Sequence, residues 1–68
     1  MMKKKWYHVH MIDQLSGEEY LVGVKASSES EAECRARLEA EKYWPQLWQE
    51  VLGFMSELEA EASGLDEF

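Results

Sequence analysis

His8 and His10 stand two residues apart, and on a strand two imidazoles at that spacing project from one face, near enough to share a metal ion. A zinc site needs a third protein ligand, and no further His or Cys stands at a ligand spacing. Asp13 and Glu19 are the nearest carboxylates, in a chain that carries 14 acidic residues. Two histidines with an arbitrary carboxylate are read as a strand face whose rings stack on Trp6 or touch a partner, and no metal or cofactor is expected. Cys34 is the sole cysteine, so no disulfide can close within one chain, and it is read as structural. Ser27, Ser28 and Ser30 fall at a helix start, where capping accounts for them. Gly17, Gly23, Gly53 and Gly64 are scattered among elements and form no phosphate loop. No nucleophile with a base is present, and the chain is read as no enzyme.

Charge is the second signal. The net charge is −7, and after Lys42 there is no Lys, Arg or His, while Glu50, Glu57, Glu59, Glu61, Asp66 and Glu67 remain. A sequence pI near 4.7 opposes direct binding to nucleic acid or anionic lipid. The natural complement is a basic protein. No apolar run approaches the roughly 18 residues that cross a bilayer. The basic start Lys3-Lys4-Lys5 is followed by alternation rather than an apolar core, so neither a signal peptide nor a membrane anchor is expected, and the location is read as cytoplasmic.

These residues need elements to position them. Lys5 to Asp13 alternates, with Tyr7, Val9 and Met11 on one face and Trp6, His8, His10 and Ile12 on the other. Glu18 to Lys25 alternates likewise, placing Tyr20, Val22 and Val24 opposite Glu19, Leu21, Gly23 and Lys25. Gln14 to Gly17 reads as a four-residue hairpin loop, with Gly17 left-handed and Asp13 accepting a turn hydrogen bond. That length sets the register: Met11 faces Tyr20, Val9 faces Val22 and Tyr7 faces Val24.

A helix opens after Ser28, the predicted N-cap, with Glu31 completing a capping box. Ala32, Ala36, Ala40 and Tyr43 form a narrow stripe for the Tyr7/Val9/Val22 face, leaving Cys34 and Leu38 in need of another cover. Pro45 interrupts the chain near Tyr43-Trp44 and can restart a helix. The spacing of Leu47, Trp48, Val51, Met55, Leu58 and Ala62, flanked by Leu52 and Phe54, predicts a second amphipathic helix from Gln46 to about Ala62. On its polar side Glu50, Glu57 and Glu61 recur at multiples of about 1.5 Å per residue, suited to several Lys or Arg side chains of a partner. Gly64 ends it. The expected architecture is α+β, a ββαα domain over residues 1–64 with both helices on one face of a two-stranded hairpin, then a flexible acidic tail over 65–68.

Sixty-eight residues bury little surface, and a two-stranded sheet leaves both edges open. Trp44 and Trp48 are assigned to the core. Trp6, His8, His10, Ile12 and Leu21 are assigned to an exposed face that binds a target or another copy, the acidic residues Glu50, Glu57 and Glu61 forming a second candidate surface.

The run Tyr7 to Val24 with Ala26-Ser27-Ser28-Glu29-Ser30-Glu31-Ala32, together with the size and acidity of the chain, resembles small phage and mobile-element inhibitors of the anti-CRISPR type. The resemblance is one of class and carries no diagnostic motif. It implies a non-enzymatic blocker, acting in the cytoplasm of a bacterial host, that occupies a basic groove of a nucleic-acid-binding effector. The competing reading is a structural or assembly protein whose amphipathic C-terminal helix is an oligomer seam. Both readings accommodate a homodimer with a four-stranded sheet formed across subunits. Light scattering at micromolar concentration is expected to give the mass of two chains, and the mass of one would exclude the dimer.

Overall fold

The computed structural model describes residues 3–68, without the side chain of Gln46. The first two residues of the expected domain lie outside the described ones. Elements follow in the order β1 (Lys5–Asp13), β2 (Glu19–Ala26), α1 (Glu29–Glu41), a 3-10 turn (Gln46–Trp48), β3 (Gln49–Met55) and α2 (Glu57–Ser63). The class is α+β as expected, but the sheet has three antiparallel strands in the order β2-β1-β3.

The hairpin forms in the expected register, Met11 opposite Tyr20, Val9 opposite Val22 and Tyr7 opposite Val24. Its loop is held by the Asp13 amide donating to the Glu18 carbonyl at 2.8 Å, the Gly17 amide donating to the Asp13 carbonyl at 2.7 Å, and the Leu15 amide donating to the Asp13 carboxylate at 2.9 Å. Gly17 sits at φ +77°, where a side chain would be strained.

Ser28 caps α1 by accepting from the Glu31 amide at 3.2 Å. The expected box is only half made. The Glu31 carboxylate accepts instead from the Ser27 hydroxyl at 2.9 Å and from Arg35 at 3.0 Å. Ala32, Ala36 and Ala40 are fully buried against Val9, Met11, Tyr20, Val22, Val24 and Ala26, with Tyr7, Trp44, Val51 and Phe54 packed around them. Alanines let the helix axis approach the sheet closely, so the methyl stripe does the work that larger side chains do in a bigger core.

The long second helix does not exist. The segment turns once, crosses to the free edge of β1 and pairs with it, Phe54 opposite Val9 and Val51 opposite Met11, with Leu52 as the extra residue of a bulge. Pairing wins because Val9 and Met11 are wholly buried, and main-chain groups on the open side of β1 need partners. Val51 and Phe54 suit a strand, and Gly53 inside a helix would cost about 1 kcal/mol relative to Ala.

α2 is therefore a separate short helix, begun by a capping box in which Ser56 accepts from the Glu59 amide at 3.2 Å and Glu59 accepts from the Ser56 amide at 3.1 Å. Gly64, left-handed at φ +70°, ends it as the sequence indicated. The seam helix of the assembly reading has no counterpart, since α2 spans only Glu57–Ser63 and buries no residue fully. The helices also do not share a face. α1 packs on the Val9/Val22 side, whereas Ala60, Glu61 and Leu65 line a groove with His8 and Leu21 on the opposite side.

Residues 66–68 are not a free tail. They run parallel to β2 along its outer edge: Leu21 donates to Asp66 O, Phe68 donates to Leu21 O and Gly23 donates to Phe68 O, each at 2.8 Å.

The Ala stripe makes a direct demand on volume. Ala36→Leu should cost about 1–3 kcal/mol by overpacking α1 against the sheet, whereas Leu38→Ala on the exposed side should stay within about 0.5 kcal/mol, both read from urea midpoints.

Candidate functional site

The face opposite α1 carries Trp6, His8, His10 and Ile12 on β1 and Glu19, Leu21, Gly23 and Lys25 on β2, because side chains alternate along each strand. α2 leaves β3 beside this face, since Met55, Ser56 and Glu57 line a groove of about 300 Å³ with Trp6 and His8. It ends beside β2, where Ala60, Glu61, Leu65 and Glu67 meet His8 and Leu21 around a smaller groove of about 180 Å³. The helix and the chain that follows it thus divide the expected surface.

Leu21, assigned to the binding face, is only 1% exposed and belongs to the interior of this second layer. His8 Nδ1 is paired with the Glu67 carboxylate, and His10 Nε2 lies 2.7 Å from Glu19 Oε1. Ile12 is half-buried. Trp6 alone of the five is strongly exposed, at 66%. It stands between the groove shared with His8 and Glu57 and another of about 280 Å³, lined by Val24, Lys25, Arg35 and Leu38 among others. Leu38, for which the next helix or another subunit was the expected cover, is not covered by α2 and forms one wall of this groove.

The acidic trio is also separated. Glu50 lies on β3 and accepts from the Gln14 side chain, while Glu57 and Glu61 lie one turn apart on α2. Among the described residues neither Glu57 nor Glu61 makes a side-chain hydrogen bond or ion pair, so both carboxylates are open to a partner. Many other carboxylates are occupied. Glu31, Glu33 and Glu39 pair with Arg35, Arg37 and Lys42 along α1 at 3.0–3.1 Å. The Ser27 hydroxyl above all holds the Glu31 carboxyl below the usual carboxylate range; burial opposes it, and Arg35 adds to the lowering. The Ser56 amide does the same for Glu59, helped by the Ser56 hydroxyl. Cys34 is exposed on α1.

Among the described residues no group of three or more His, Cys, Asp or Glu side chains is placed to hold a metal ion. No helix of the described residues is long and apolar enough to cross a membrane. No family model matches the chain, and no match was found among curated proteins or among solved structures.

The sequence reading missed an aromatic cage. Tyr20, Tyr43 and Trp44 surround the Phe68 ring at centroid distances of 5.9, 5.4 and 5.2 Å, and Tyr20 stacks on Trp44 at 4.5 Å. Trp44 thus serves the core as expected, while Trp48 is 44% exposed and does not. A run of two aromatics beside Pro45, with one more aromatic at Phe68, was the available signal. Strand pairing at a distance, which no local pattern reports, brings them together.

The Tyr20 hydroxyl donates to Gln49 Oε1 inside the core, where Gln49 Nε2 has no partner. Burial, with a smaller contribution from the Asp13 charge, pushes the Tyr20 phenol from 10.0 up to about 12. The folded state therefore holds this proton more tightly than the unfolded chain does. That contribution to stability is complete below pH 10 and is lost as pH rises towards 12. Tyr20→Phe should remove this alkaline loss, seen as a flatter decline of the urea midpoint between those two limits. At neutral pH the same variant should lose about 1–3 kcal/mol, because Gln49 is left wholly unpaired.

Proposed function

We propose that this protein is a small non-catalytic inhibitor or adaptor that docks on a basic protein partner, in the manner of the anti-CRISPR-type inhibitors it resembles. The observation that carries the reading is Trp6, 66% exposed between two grooves, with the unpaired Glu57 beside it and Glu61 one turn further on. A large aromatic ring beside free carboxylates matches a surface of Arg or Lys side chains, because the ring face attracts a guanidinium and the carboxylates accept its hydrogen bonds. Tryptophan is among the residues that most often anchor interfaces. His8 lines the groove beside Trp6 and is held by Glu67, whereas His10 and Glu50 are engaged further along the sheet by Glu19 and Gln14.

A basic groove that ordinarily holds nucleic acid presents this complement, and an acidic protein seated there acts as a competitor of the phosphate backbone. Binding of this kind is steered by charge and weakens as salt screens it.

The protein, immobilised as bait, should retain a basic protein at low ionic strength, and added nucleic acid should compete with it. Raising salt to about 1 M, where the Debye length falls to about 3 Å, should release it. Trp6→Ala and the double change Glu57→Lys/Glu61→Lys should each weaken retention at least about tenfold, a loss of about 1.4 kcal/mol. Retention by both variants equal to that of the wild type would remove this surface from the function.

A further inference from the structure

The outer edge of β2 is paired with residues 66–68 of the chain itself. Three main-chain hydrogen bonds of 2.8 Å tie Leu21 and Gly23 to Asp66 and Phe68 in a parallel ladder. Strand alternation then sends the two key side chains to opposite faces. Phe68 enters the cage of Tyr20, Tyr43 and Trp44, and Glu67 turns the other way to pair with His8. Gly23 makes room for this: a Cβ there would come within 3.2 Å of Glu67 Oε2. The edge thus reads main chain, a carboxylate and an aromatic ring, which is the pattern of strand-addition recognition.

The occupant is shallow. Asp66, Glu67 and Phe68 are all exposed, Phe68 at 47%, and the tail pairs with β2 through three hydrogen bonds, while the β2 residue it covers, Leu21, is 1% exposed. A segment with few buried contacts opens locally at a smaller cost than global unfolding.

We propose that the β2 edge with its aromatic cage is a second protein-binding site, one that takes an extended partner segment presenting a carboxylate followed directly by an aromatic residue. The chain's own Glu67-Phe68 holds the site until such a segment displaces it. This site adjoins the Trp6 surface through His8, which pairs with Glu67 and lines the Trp6 groove, and the two are told apart by the residues that respond: Leu21, Gly23 and Trp44 for the β2 edge, Trp6 for the other. A tethered occupant competes at an effective concentration in the millimolar range for a short link, so an untethered peptide of the same sequence must be supplied at comparable concentration.

The test is a titration of the full ¹⁵N-labelled chain, wild type and Phe68→Ala, with a synthetic peptide of residues 64–68, followed by amide NMR. Phe68→Ala should expose the Leu21 and Gly23 amides to exchange ahead of those of Val9 and Val22. Peptide should then shift Leu21, Gly23 and the Trp44 indole saturably, and the wild type should show the same pattern only at higher peptide concentration. The peptide in which Phe is replaced by Ala should shift none of them. Absence of shifts at Leu21 and Gly23 in the wild type up to several times the effective concentration of its own tail would overturn the proposal, whether or not Phe68→Ala folds. Shifts centred on Trp6 instead would also overturn it.

Discussion

β1 must be hydrogen-bonded on both sides, and the rest of the fold is arranged around that requirement. Val9 and Met11 are fully buried, so their strand lies in the middle of the molecule, where an unpaired amide or carbonyl has no water to turn to. β2 supplies one side through a tight loop at little entropic cost. The other side has to come from a distant part of the chain. α1 provides the span, its 13 residues returning the chain along the sheet, and Pro45 with the single turn Gln46–Trp48 redirects it onto the free edge of β1. The Gln14 amide, which donates to the Trp48 carbonyl at 2.6 Å, pins that return to the hairpin loop.

What the sequence made legible was local. Alternation and a four-residue loop were enough to give the hairpin its register, though β2 runs one residue later than the alternation suggested. Ser28 with three alanines gave α1 its start and its buried face, Tyr43 falling outside it. The segment after Pro45 misled because Leu47, Trp48, Val51, Met55 and Leu58 satisfy helical spacing while Gln49, Val51, Phe54 and Met55 satisfy a bulged strand. The bulge at Leu52 breaks the alternation that would have revealed the strand. Two signals argued the other way: Gly53 within the supposed helix, and Ser56-x-x-Glu59, a capping box that announces a new helix start where an old one was expected to continue. Need for a third strand outweighed the helical pattern. The exposed state of Trp6 was legible from its face of the hairpin. The burial of Leu21 on that same face was not, because it depends on where a short helix and the last residues return.

The acidic composition divides into two populations once the chain is folded. Asp13 and Glu59 accept main-chain hydrogen bonds, Glu31, Glu33 and Glu39 are matched along α1, and Glu19, Glu50 and Glu67 are engaged by His10, Gln14 and His8. These carboxylates fix turns, helix starts and strand edges. Exposed pairs of this sort add little stability each, so their value lies in placement rather than in energy. Glu57 and Glu61 belong to the other population. With Leu58, which is 77% exposed, they form the uncovered side of α2.

That exposure bears on why α2 is kept at all. A seven-residue helix is too short to be stable on intrinsic propensity, and this one buries no side chain completely. It persists because both of its ends are tied: the Ser56 box joins it to β3, and the parallel ladder of residues 66–68 joins it to β2. The helix is thus a strap across the face opposite α1, beginning beside Trp6 and crossing to His8 and Leu21, while Trp6 itself stays exposed. Its exposed side places Glu57, without a side-chain partner among the described residues, beside the exposed Trp6, and it is on this juxtaposition that the proposed docking rests.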